Sequence, residues 1–570
     1  MTQDLLPKET IKVADYLFTR LHQLGVRSVF GVPGDYNLRL LDFVGPSGLH
    51  WVGNCNELNA AYAADGYARI NGLAALITTF GVGELSAVNG IAGAYAEKAP
   101  VIHIVGTPPR SLQSSRALVH HTFADGDYHR FAAMSSHITV AQANLVDPRT
   151  TPALIDWVLE QALIHSRPAY IALPDDMVDV IVSASNLVSK NIIVPTFPGA
   201  DHESLVLSQV RERIYSAQRP LILVDGESRT FGVLDQIETL VRTTGWPTWT
   251  TVFGKSLVNE QLPNVYGNYA GGFGDKQWKA YFDSADLIID IGPHHSSTNS
   301  QTFTTLPNPA VSIAISSNEV QIGSDVYRDI SRSFLSQLLQ SLDWIRVPKA
   351  VGPPKPSIAI DELNSGDPIT QNHFYRVVNP LIREGDLVLT ETGTASHGGR
   401  NFTLPPNVRL FGAVTWLSIG YMLPATLGAG IAQRELNDGT KSRAILFIGD
   451  GSLQMSVQEI STIIREDLDV IIFIINNEGY TIERAIHGRK QTYNDIAPWR
   501  HAQALDFFGA DQSHVARNYF KARTWAQLEA VLKDGNIQEG CGVRIVEVFM
   551  GREDVQGALL QLLERQIEKE

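Results

Sequence analysis

Two short segments in the last third of the chain contain residues suited to binding anions and hard cations. The first is Gly449-Asp450-Gly451-Ser452, which follows the apolar run Ile445–Ile448 and precedes a predicted helix, Leu453 to Arg465. A buried strand that runs into a glycine loop and then a helix directs backbone N–H groups and a helix N-terminus at an anion, typically a diphosphate. Glycine lets the phosphate approach the backbone closely. Asp450, at the end of the strand, is placed to hold a hard cation.

The second segment, Asn476 to Tyr480, follows another apolar run, Val470–Ile475. Magnesium prefers six oxygen ligands, usually one or two protein groups together with phosphate oxygens and water. The Asp450 carboxylate, the Asn477 amide oxygen and the Gly479 carbonyl are candidates for three of them. Gly-Asp-Gly alone is equally consistent with a turn. Two such loops, each just past an apolar strand, predict a diphosphate–metal site at the carboxyl ends of neighbouring parallel strands.

This pair of loops resembles that of the thiamine-diphosphate enzyme family. In that family the coenzyme lies between two domains, normally of two subunits. A glutamate of the first domain hydrogen-bonds the pyrimidine N1′ and so promotes deprotonation of the thiazolium C2. The resemblance implies this role for Glu57, within Gly53–Arg69, and a dry site would raise the pKa of such a carboxyl. Without the cofactor loops, Glu57 would be interpreted as an acid favoured by the helix dipole in a first turn.

Four further segments narrow the resemblance to the pyruvate decarboxylase family, most nearly its filamentous-fungal members, over roughly Thr10 to Met550. These segments are Val32–Asp35, Thr79–Ser86, Val119–Thr122 and Asn477–Glu483. The adjacent histidines and the Gly-Tyr-Thr-Ile-Glu string are the specific parts, because acetolactate synthases and benzoylformate-type enzymes are similar only at the cofactor loops. The resemblance implies non-oxidative decarboxylation of a 2-keto acid, with thiamine diphosphate and Mg²⁺ as cofactors.

The resemblance also implies an acid–base cluster made of Asp35, His120, His121 and Glu483. Decarboxylation of a 2-keto acid needs a proton for the alkoxide, a proton for the carbon that loses carbon dioxide, and a base when the aldehyde leaves. Burial and neighbouring charges can separate the pKa values of mixed carboxylates and imidazoles, so that one cluster serves each step. Singly, these residues are as well explained as a surface histidine pair, a helix-dipole partner and a turn acid.

Several loop residues are implied to contact the coenzyme in addition to Glu57. They are Thr392, Thr394, Leu417, Ile419, Gly449, Asp450, Gly451, Ser452, Asn477 and Ile482. Ile419 would hold the coenzyme in a bent shape that brings its reacting groups together, and a plain core residue is the alternative. Leu417 stands where most relatives have glycine. Its implied role uses the backbone carbonyl, so the role can persist if the side chain has room.

Pyruvate, converted to acetaldehyde and carbon dioxide, is the expected substrate. Thr298 lies near the position where yeast-type enzymes have a pocket-narrowing phenylalanine, which leaves an aryl- or indole-pyruvate decarboxylase as an alternative. A carboligase is a second alternative, opposed by the complete proton-delivery cluster. A non-catalytic assembly protein is a third, and it would not need to keep all these residues together.

The elements that must position these residues follow an alternating pattern of apolar β-branched runs and helical stretches, which indicates parallel α/β units. Thr10 is expected to cap the first helix. We expect three doubly wound parallel-sheet domains: a pyrimidine-binding domain (1–189), a middle domain (200–348) and a diphosphate- and magnesium-binding domain (366–570). Pro195–Pro198 and Pro348–Pro356 read as linkers. Strands are predicted at 28–31, 74–79, 101–106, 169–173, 220–225, 285–292, 387–390, 443–448 and 470–475.

Bulk properties exclude several other classes of protein. The chain has 570 residues, 44% hydrophobic and 19% charged, with a net charge of −14, which argues against a broad nucleic-acid footprint. Two cysteines rule out a disulfide framework and fit a reducing compartment. Neither a secretory signal nor an 18-residue apolar run is visible. We therefore expect a cytoplasmic homo-oligomer, a dimer or a dimer of dimers (a homotetramer), without membrane or nucleic-acid partners.

Overall fold

The structure is a computed structural model that describes residues 9–194, 201–355, 363–437, 439 and 442–569. Its contacts divide the chain into two compact units. The first unit comprises Met1–Pro195, Tyr421–Ser442 and Ser456–Asp469, and the second comprises Thr196–Gly420, Arg443–Met455 and Val470–Glu570. The two units contain three large sheets, each flanked by helices. This confirms the expected α/β fold with one sheet for each predicted domain.

The first unit contains a six-stranded parallel sheet. Its strands, in spatial order, are His50–Gly53, Ser28–Gly31, Ala74–Thr79, Val101–Thr107, Ala169–Pro174 and Gln142–Asn144. Its helices are Val13–Gln23, Leu38–Leu41, Glu57–Asn71, Val82–Ala96, Arg110–Ser114, Arg130–Ser135, Thr151–His165, Ser185–Ser189, Met422–Leu436 and Glu459–Arg465. The strands at the centre are buried on both faces, as their continuous apolar runs predict.

The helix that begins at Glu57 packs backbone to backbone against the helix Met422–Leu436. A Cβ on Gly66 would lie 2.3 Å from the carbonyl oxygen of Ala425, and a Cβ on Gly428 would lie 1.8 Å from that of Ala63. Neither position accepts a side chain, because the nearest atoms are backbone. This close packing fixes the axis of the helix that presents Glu57.

The second unit contains two sheets. The middle sheet has the order Val265–Asn268, Thr248–Thr250, Pro220–Val224, Leu287–Ile291, Ser312–Ile315, Glu319–Ile322 and Asp325–Arg328. Its last two pairings are antiparallel, because tight turns join consecutive strands there. The helices around it are Glu203–Ser216, Leu234–Thr244, Lys276–Asp283 and Phe334–Ser341. The antiparallel edge departs from the expected all-parallel sheet.

The other sheet of this unit has the order Arg409–Phe411, Leu387–Thr390, Arg443–Gly449, Asp469–Asn476, Val543–Phe549 and Tyr519–Ala522. Its helices are Gln371–Val378, Thr394–Gly399, Asp450–Leu453, Thr481–Ile486, Ala504–Phe507, Gln512–Val515, Trp525–Leu532, Gly535–Glu539 and Ala558–Ile567. The strands that end at Thr390, Gly449 and Asn476 are neighbours in this order. Their carboxyl ends therefore meet at one edge, where α/β sheets bind ligands.

Each predicted strand is present with bounds within two residues of the prediction, but two helix predictions were wrong. Thr10 does not cap the first helix: it lies in the strand Thr10–Lys12, which pairs antiparallel with Ile181–Ser183, and the helix starts at Val13. The helix expected from Leu453 to Arg465 is interrupted between Leu453 and Glu459. The linker predicted at Pro195–Pro198 lies outside the described residues.

Among the described residues, no helix combines the length and apolar character that a membrane crossing requires.

Candidate active site

The glycine loop begins where the strand Arg443–Gly449 ends, and a short helix starts at Asp450. The Asp450 carboxylate is buried, with 3% of the residue exposed. It accepts hydrogen bonds from the backbone N–H groups of Gly451 at 2.9 Å and Glu478 at 2.8 Å. Burial raises the pKa of Asp450 to about 6, although these backbone donors act in the opposite direction. A buried carboxylate is costly unless its charge is compensated, which fits a cation ligand.

The Asn477 amide lies within 3.2 Å of both the Asp450 carboxylate and the Gly479 carbonyl. Its side-chain oxygen faces the Gly479 carbonyl at 2.9 Å and Asp450 Oδ1 at 3.2 Å, while its nitrogen faces the Thr481 hydroxyl at 2.9 Å. With the amide turned by 180°, its nitrogen donates to the Gly479 carbonyl and to Asp450 Oδ1, and its oxygen accepts from the Thr481 hydroxyl. A carboxylate, an amide and a backbone carbonyl form a donor set that fits a hard divalent cation.

The loop after the neighbouring strand Leu387–Thr390 contributes Thr392 and Thr394. The Thr392 hydroxyl is buried and has no hydrogen-bond partner within the described part of the chain, so it is available to a ligand. Thr394 is buried at the start of the helix Thr394–Gly399. A Cβ built on Gly393 would find only Ile482 Cγ1, at 4.0 Å. A side chain at 393 would therefore only touch Ile482, which places this loop next to Ile482.

Leu417 adopts a backbone conformation that normally belongs to glycine. Its φ is +56°, in the left-handed region that costs other residues about 1–2 kcal/mol. Leu417 and Ile419 are both half-buried. The segment just before them is fixed by the middle sheet's loop: the Thr298 hydroxyl donates to the Val414 carbonyl, and the His294 imidazole lies 2.7 Å from the Thr415 hydroxyl. The resemblance placed a leucine at a glycine position, and the left-handed φ of Leu417 is the backbone conformation that glycine adopts most readily.

In the first unit, Glu57 is the first residue of the helix Glu57–Asn71. Asn56 caps this helix by accepting a hydrogen bond from the Asn59 N–H at 2.8 Å. Glu57 is half-buried, and burial raises its pKa. A Cβ built on Gly83 would lie 3.0 Å from Glu57 Oε1. Glycine at 83 thus leaves space beside the carboxyl, and the raised pKa is the property expected of a carboxyl that hydrogen-bonds a neutral pyrimidine nitrogen.

The structure brings Asp35, His120 and His121 together, as the sequence predicted. The imidazole of His120 contacts the Asp35 carboxylate, and His121 Nε2 lies 3.8 Å from Asp35 Oδ1. Tyr36 stacks on His120 with ring centroids 5.0 Å apart. His121 has a φ of +64°, and a Cβ on Gly81 would meet its carbonyl oxygen at 2.2 Å. A partly exposed carboxylate with two imidazoles can accept, hold and donate protons.

Glu483, the fourth member of the predicted cluster, belongs to the second unit. It is exposed on the helix Thr481–Ile486. The helix is held at its other end by Gln566, whose side-chain amide donates to the carbonyls of Arg484 at 2.9 Å and Ala485 at 2.7 Å. These are carbonyls that the helix itself cannot satisfy. These two hydrogen bonds stabilise the helix that carries Glu483.

Two buried acids of the first unit, Glu84 and Glu459, had no predicted role. Glu84 accepts hydrogen bonds from the Gly81 N–H and the Tyr170 hydroxyl, both at 2.9 Å, and burial raises its pKa to about 7. Glu459 is fully buried and accepts from the side-chain amides of Asn54 and Asn59. The available signal was an acid inside an otherwise apolar helix pattern, which is a weak one because such acids are usually solvent-exposed.

Three thiamine pyrophosphate enzyme family models match the chain in succession. They describe the N-terminal TPP binding domain (residues 11–130), the central domain (207–338) and the C-terminal TPP binding domain (391–548). A crystal structure of a Mycobacterium smegmatis protein described as a thiamin diphosphate-dependent enzyme covers 95% of this chain and 99% of its own, with a TM-score of 0.75 and 21% identity. At that identity the likeness concerns the fold. Fold and family models together define a thiamine pyrophosphate enzyme.

Curated relatives narrow this class. A pyruvate decarboxylase of Aspergillus parasiticus is 54% identical over 99% of this chain and 98% of that protein. One from Aspergillus fumigatus is 41% identical over 98% of each chain. Pyruvate decarboxylase isozyme 1 of Saccharomyces cerevisiae is 38% identical over 95% of each. The chain belongs to the pyruvate decarboxylase family, as its motifs predicted.

Proposed function

We propose that this chain catalyses the non-oxidative decarboxylation of pyruvate to acetaldehyde and carbon dioxide, with thiamine diphosphate and Mg²⁺ as cofactors. The observation that supports this most strongly is the conjunction of two unlike sites. One is the buried oxygen set of Asp450, Asn477 and Gly479. The other is the Asp35–His120–His121 cluster together with, in the same unit, a half-buried Glu57 with a raised pKa. The pyruvate decarboxylases among the relatives support the choice of substrate.

Each binding residue has a distinct proposed role toward the cofactors. Asp450, Asn477 and Gly479 hold Mg²⁺, whose charge offsets the buried Asp450 carboxylate. Backbone N–H groups at Gly449 and Ser452 receive the diphosphate, and Gly451, whose N–H donates to Asp450, lines the same loop. The pyrimidine and thiazolium side is lined by Thr392, Thr394, Leu417, Ile419 and Ile482. Glu57 hydrogen-bonds the pyrimidine ring, and its raised pKa supports this role because a protonated carboxyl can donate.

When bound, thiamine diphosphate supplies a carbon nucleophile for the keto carbon and accepts the electron pair released with carbon dioxide. The chain's own residues manage the protons. The Asp35–His120–His121 cluster and Glu483 give one proton to the carbonyl oxygen and one to the carbon that has lost carbon dioxide. They then take back the hydroxyl proton as acetaldehyde leaves. The net reaction consumes one proton per pyruvate, which the imidazoles can recover from solvent because they are partly exposed.

We propose three domains with the bounds 1–189, 200–348 and 366–570. The three family models, at 11–130, 207–338 and 391–548, lie inside these ranges and support them. We also propose a cytoplasmic homo-oligomer, a dimer or a dimer of dimers. Cys55 and Cys541 are free and exposed, which supports a reducing compartment.

The decisive experiment measures aldehyde release by the purified protein with thiamine diphosphate and Mg²⁺, on pyruvate and on phenylpyruvate. We expect release from pyruvate, with kcat reduced at least about a hundredfold by Glu57→Gln. A clear preference for phenylpyruvate would retain the chemistry and favour an aryl-pyruvate decarboxylase, for which Thr298 is the sequence argument. Absence of aldehyde from both, with condensation products instead, would replace the proposal by a carboligase.

A further inference from the structure

The buried carboxylate of Glu459 holds the segment around Glu57. Glu459, in the helix Glu459–Arg465 of the same unit, accepts from Asn54 Nδ2 at 2.7 Å on one oxygen and from Asn59 Nδ2 at 2.9 Å on the other. Asn54 and Asn59 flank Glu57 on either side along the chain. Glu459 therefore bridges the turn that leads into the Glu57 helix and the first turn of that helix.

The bridge is continued by a second contact on its upstream side. The Asn54 side-chain oxygen accepts a hydrogen bond from the Gly31 N–H at 3.2 Å, at the end of the strand Ser28–Gly31. Glu459 has no exposed surface, and burial raises its pKa against the donors that surround it. Buried carboxylates cost free energy unless they are fully hydrogen-bonded. A buried carboxylate that binds residues on both sides of Glu57 along the chain calls for an explanation beyond packing.

The other end of the helix Glu57–Asn71, distant from Glu57, is also held by a glutamate. Glu435, in the helix Met422–Leu436, accepts from the hydroxyl groups of Ser28 and Tyr67, each at 2.5 Å. Tyr67 is in the last third of the helix Glu57–Asn71, whereas Asn59 is in its first turn. The two glutamates thus anchor the two ends of one helix: Glu459 anchors the end that carries Glu57, and Glu435 anchors the other.

We propose that Glu459 is a positioning residue for Glu57: its carboxylate fixes Asn54 and Asn59 so that the Glu57 side chain is held where it must meet the pyrimidine ring. This inference rests on the role of Glu57 in the proposed function. In Glu459→Gln, one of the two asparagine amides would face the new NH₂ group and would have to turn by 180° or lose its acceptor. The first turn of the helix would then shift, and small misplacements of a reacting group cost large factors in rate.

The test compares Glu459→Gln with Glu435→Gln in the full-length enzyme. We expect kcat for pyruvate to fall about tenfold to a hundredfold in Glu459→Gln, with the KM for pyruvate unchanged within about threefold. The rate of solvent deuterium exchange at C2 of bound thiamine diphosphate, measured by NMR after acid quench, should fall by the same factor. Both variants should lower the thermal midpoint of the apoprotein to a similar extent. Glu435→Gln, however, should leave the C2 exchange rate near that of wild type.

A double substitution supplies the rescue. Asn59→Asp combined with Glu459→Gln exchanges the acceptor and the donor across the clamp and keeps one buried carboxylate. We expect it to recover at least about tenfold in the C2 exchange rate over Glu459→Gln. Asn59→Asp alone sets two carboxylates against each other and should be worse than either.

The outcomes separate the inference from the proposed function. If Glu57→Gln leaves C2 exchange unchanged, the role of Glu57 is wrong and the proposal about Glu459 falls with it. If Glu57→Gln stops exchange but Glu459→Gln behaves like Glu435→Gln, the function stands and the positioning role is refuted. Failure of the double substitution to exceed Glu459→Gln would likewise overturn it. Slow C2 exchange in Glu459→Gln that the double substitution restores would establish the positioning role.

Discussion

The two groups of proposed site residues, one in each unit, have different surroundings. Asp450, Asn477 and Gly479 are drawn together by neighbouring strand ends, and the Asp450 carboxylate is buried. The Asp35–His120–His121 cluster lies on loops, and the side chain of His120 is 59% exposed. A site that binds a charged cofactor gains from desolvated, preorganised oxygens, since low dielectric strengthens their attraction for a cation. A site that exchanges protons with solvent needs access to it.

The largest expected effect tests the buried group. Asp450→Asn keeps the size of the side chain but removes the charge proposed to compensate a divalent cation, together with one of the two oxygens that accept backbone N–H groups. We expect kcat to fall at least about a thousandfold at ordinary Mg²⁺ concentrations, because cation and diphosphate would no longer be held. Titration of the apoprotein with thiamine diphosphate and Mg²⁺, followed by intrinsic fluorescence, measures the affinity. Full activity with an unchanged affinity would remove Asp450 from the metal site.

A smaller effect tests the exposed group. Asp35→Asn abolishes the carboxylate beside both imidazoles while leaving cofactor binding untouched. We expect kcat to fall about a hundredfold, within the usual range for a lost proton-transfer group, with the affinity for thiamine diphosphate unchanged. The contrast between this variant and Asp450→Asn is the point of the measurement. If Asp35→Asn weakened cofactor binding as much as Asp450→Asn does, the division of labour between the two groups would be wrong.

The smallest effect concerns Glu84, a buried acid in the same unit as the Asp35–His120–His121 cluster. Burial raises its pKa from 4.5 to about 7, so its contribution to stability is fully present below about pH 4.5 and is lost as the pH rises through 7. Glu84→Gln cannot ionise. Relative to this variant, wild type should therefore lose up to about 3 kcal/mol of stability between pH 4.5 and pH 8. Thermal midpoints of both proteins across this range measure the difference.

A control for Glu84 is Tyr170→Phe, which removes the hydroxyl that donates to Glu84 and leaves the Gly81 N–H in place. It should move the pH at which wild type loses stability upwards, because the ionised carboxylate loses a donor. A stability difference between wild type and Glu84→Gln that is independent of pH would show that Glu84 does not titrate in this range.

The sequence was most informative where local pattern and function coincide. The strand ends at Gly449 and Asn476 were predictable because apolar β-branched runs stop at glycine and asparagine loops. The first helix start was not, because Thr10 pairs with Ser183, far along the chain. The break after Leu453 arises from hydrogen bonds such as Met455 N–H to the Ser452 carbonyl, three residues back rather than four. Nothing local distinguishes that spacing from a continuous helix.

Among the site residues, the same division holds. Motifs identified Asp35, His120 and His121 as a group, and the structure brings these three together. Glu459 could not be assigned from the sequence, because its partners Asn54 and Asn59 lie about 400 positions earlier. Positioning residues of this kind are defined by tertiary contacts, so a single sequence shows only a polar residue in an apolar pattern.

The left-handed leucine at position 417 has a further consequence, for entropy rather than strain. Glycine at this position would sample both halves of backbone conformational space before a ligand arrived. Leu417 lies at φ +56°, in a narrow left-handed well that leucine occupies only where the fold holds it there. The direction of its carbonyl is thus chosen when the chain folds, and less conformational freedom remains to be lost on binding than a glycine would have. The proposed cofactor would meet this segment with its carbonyl already directed.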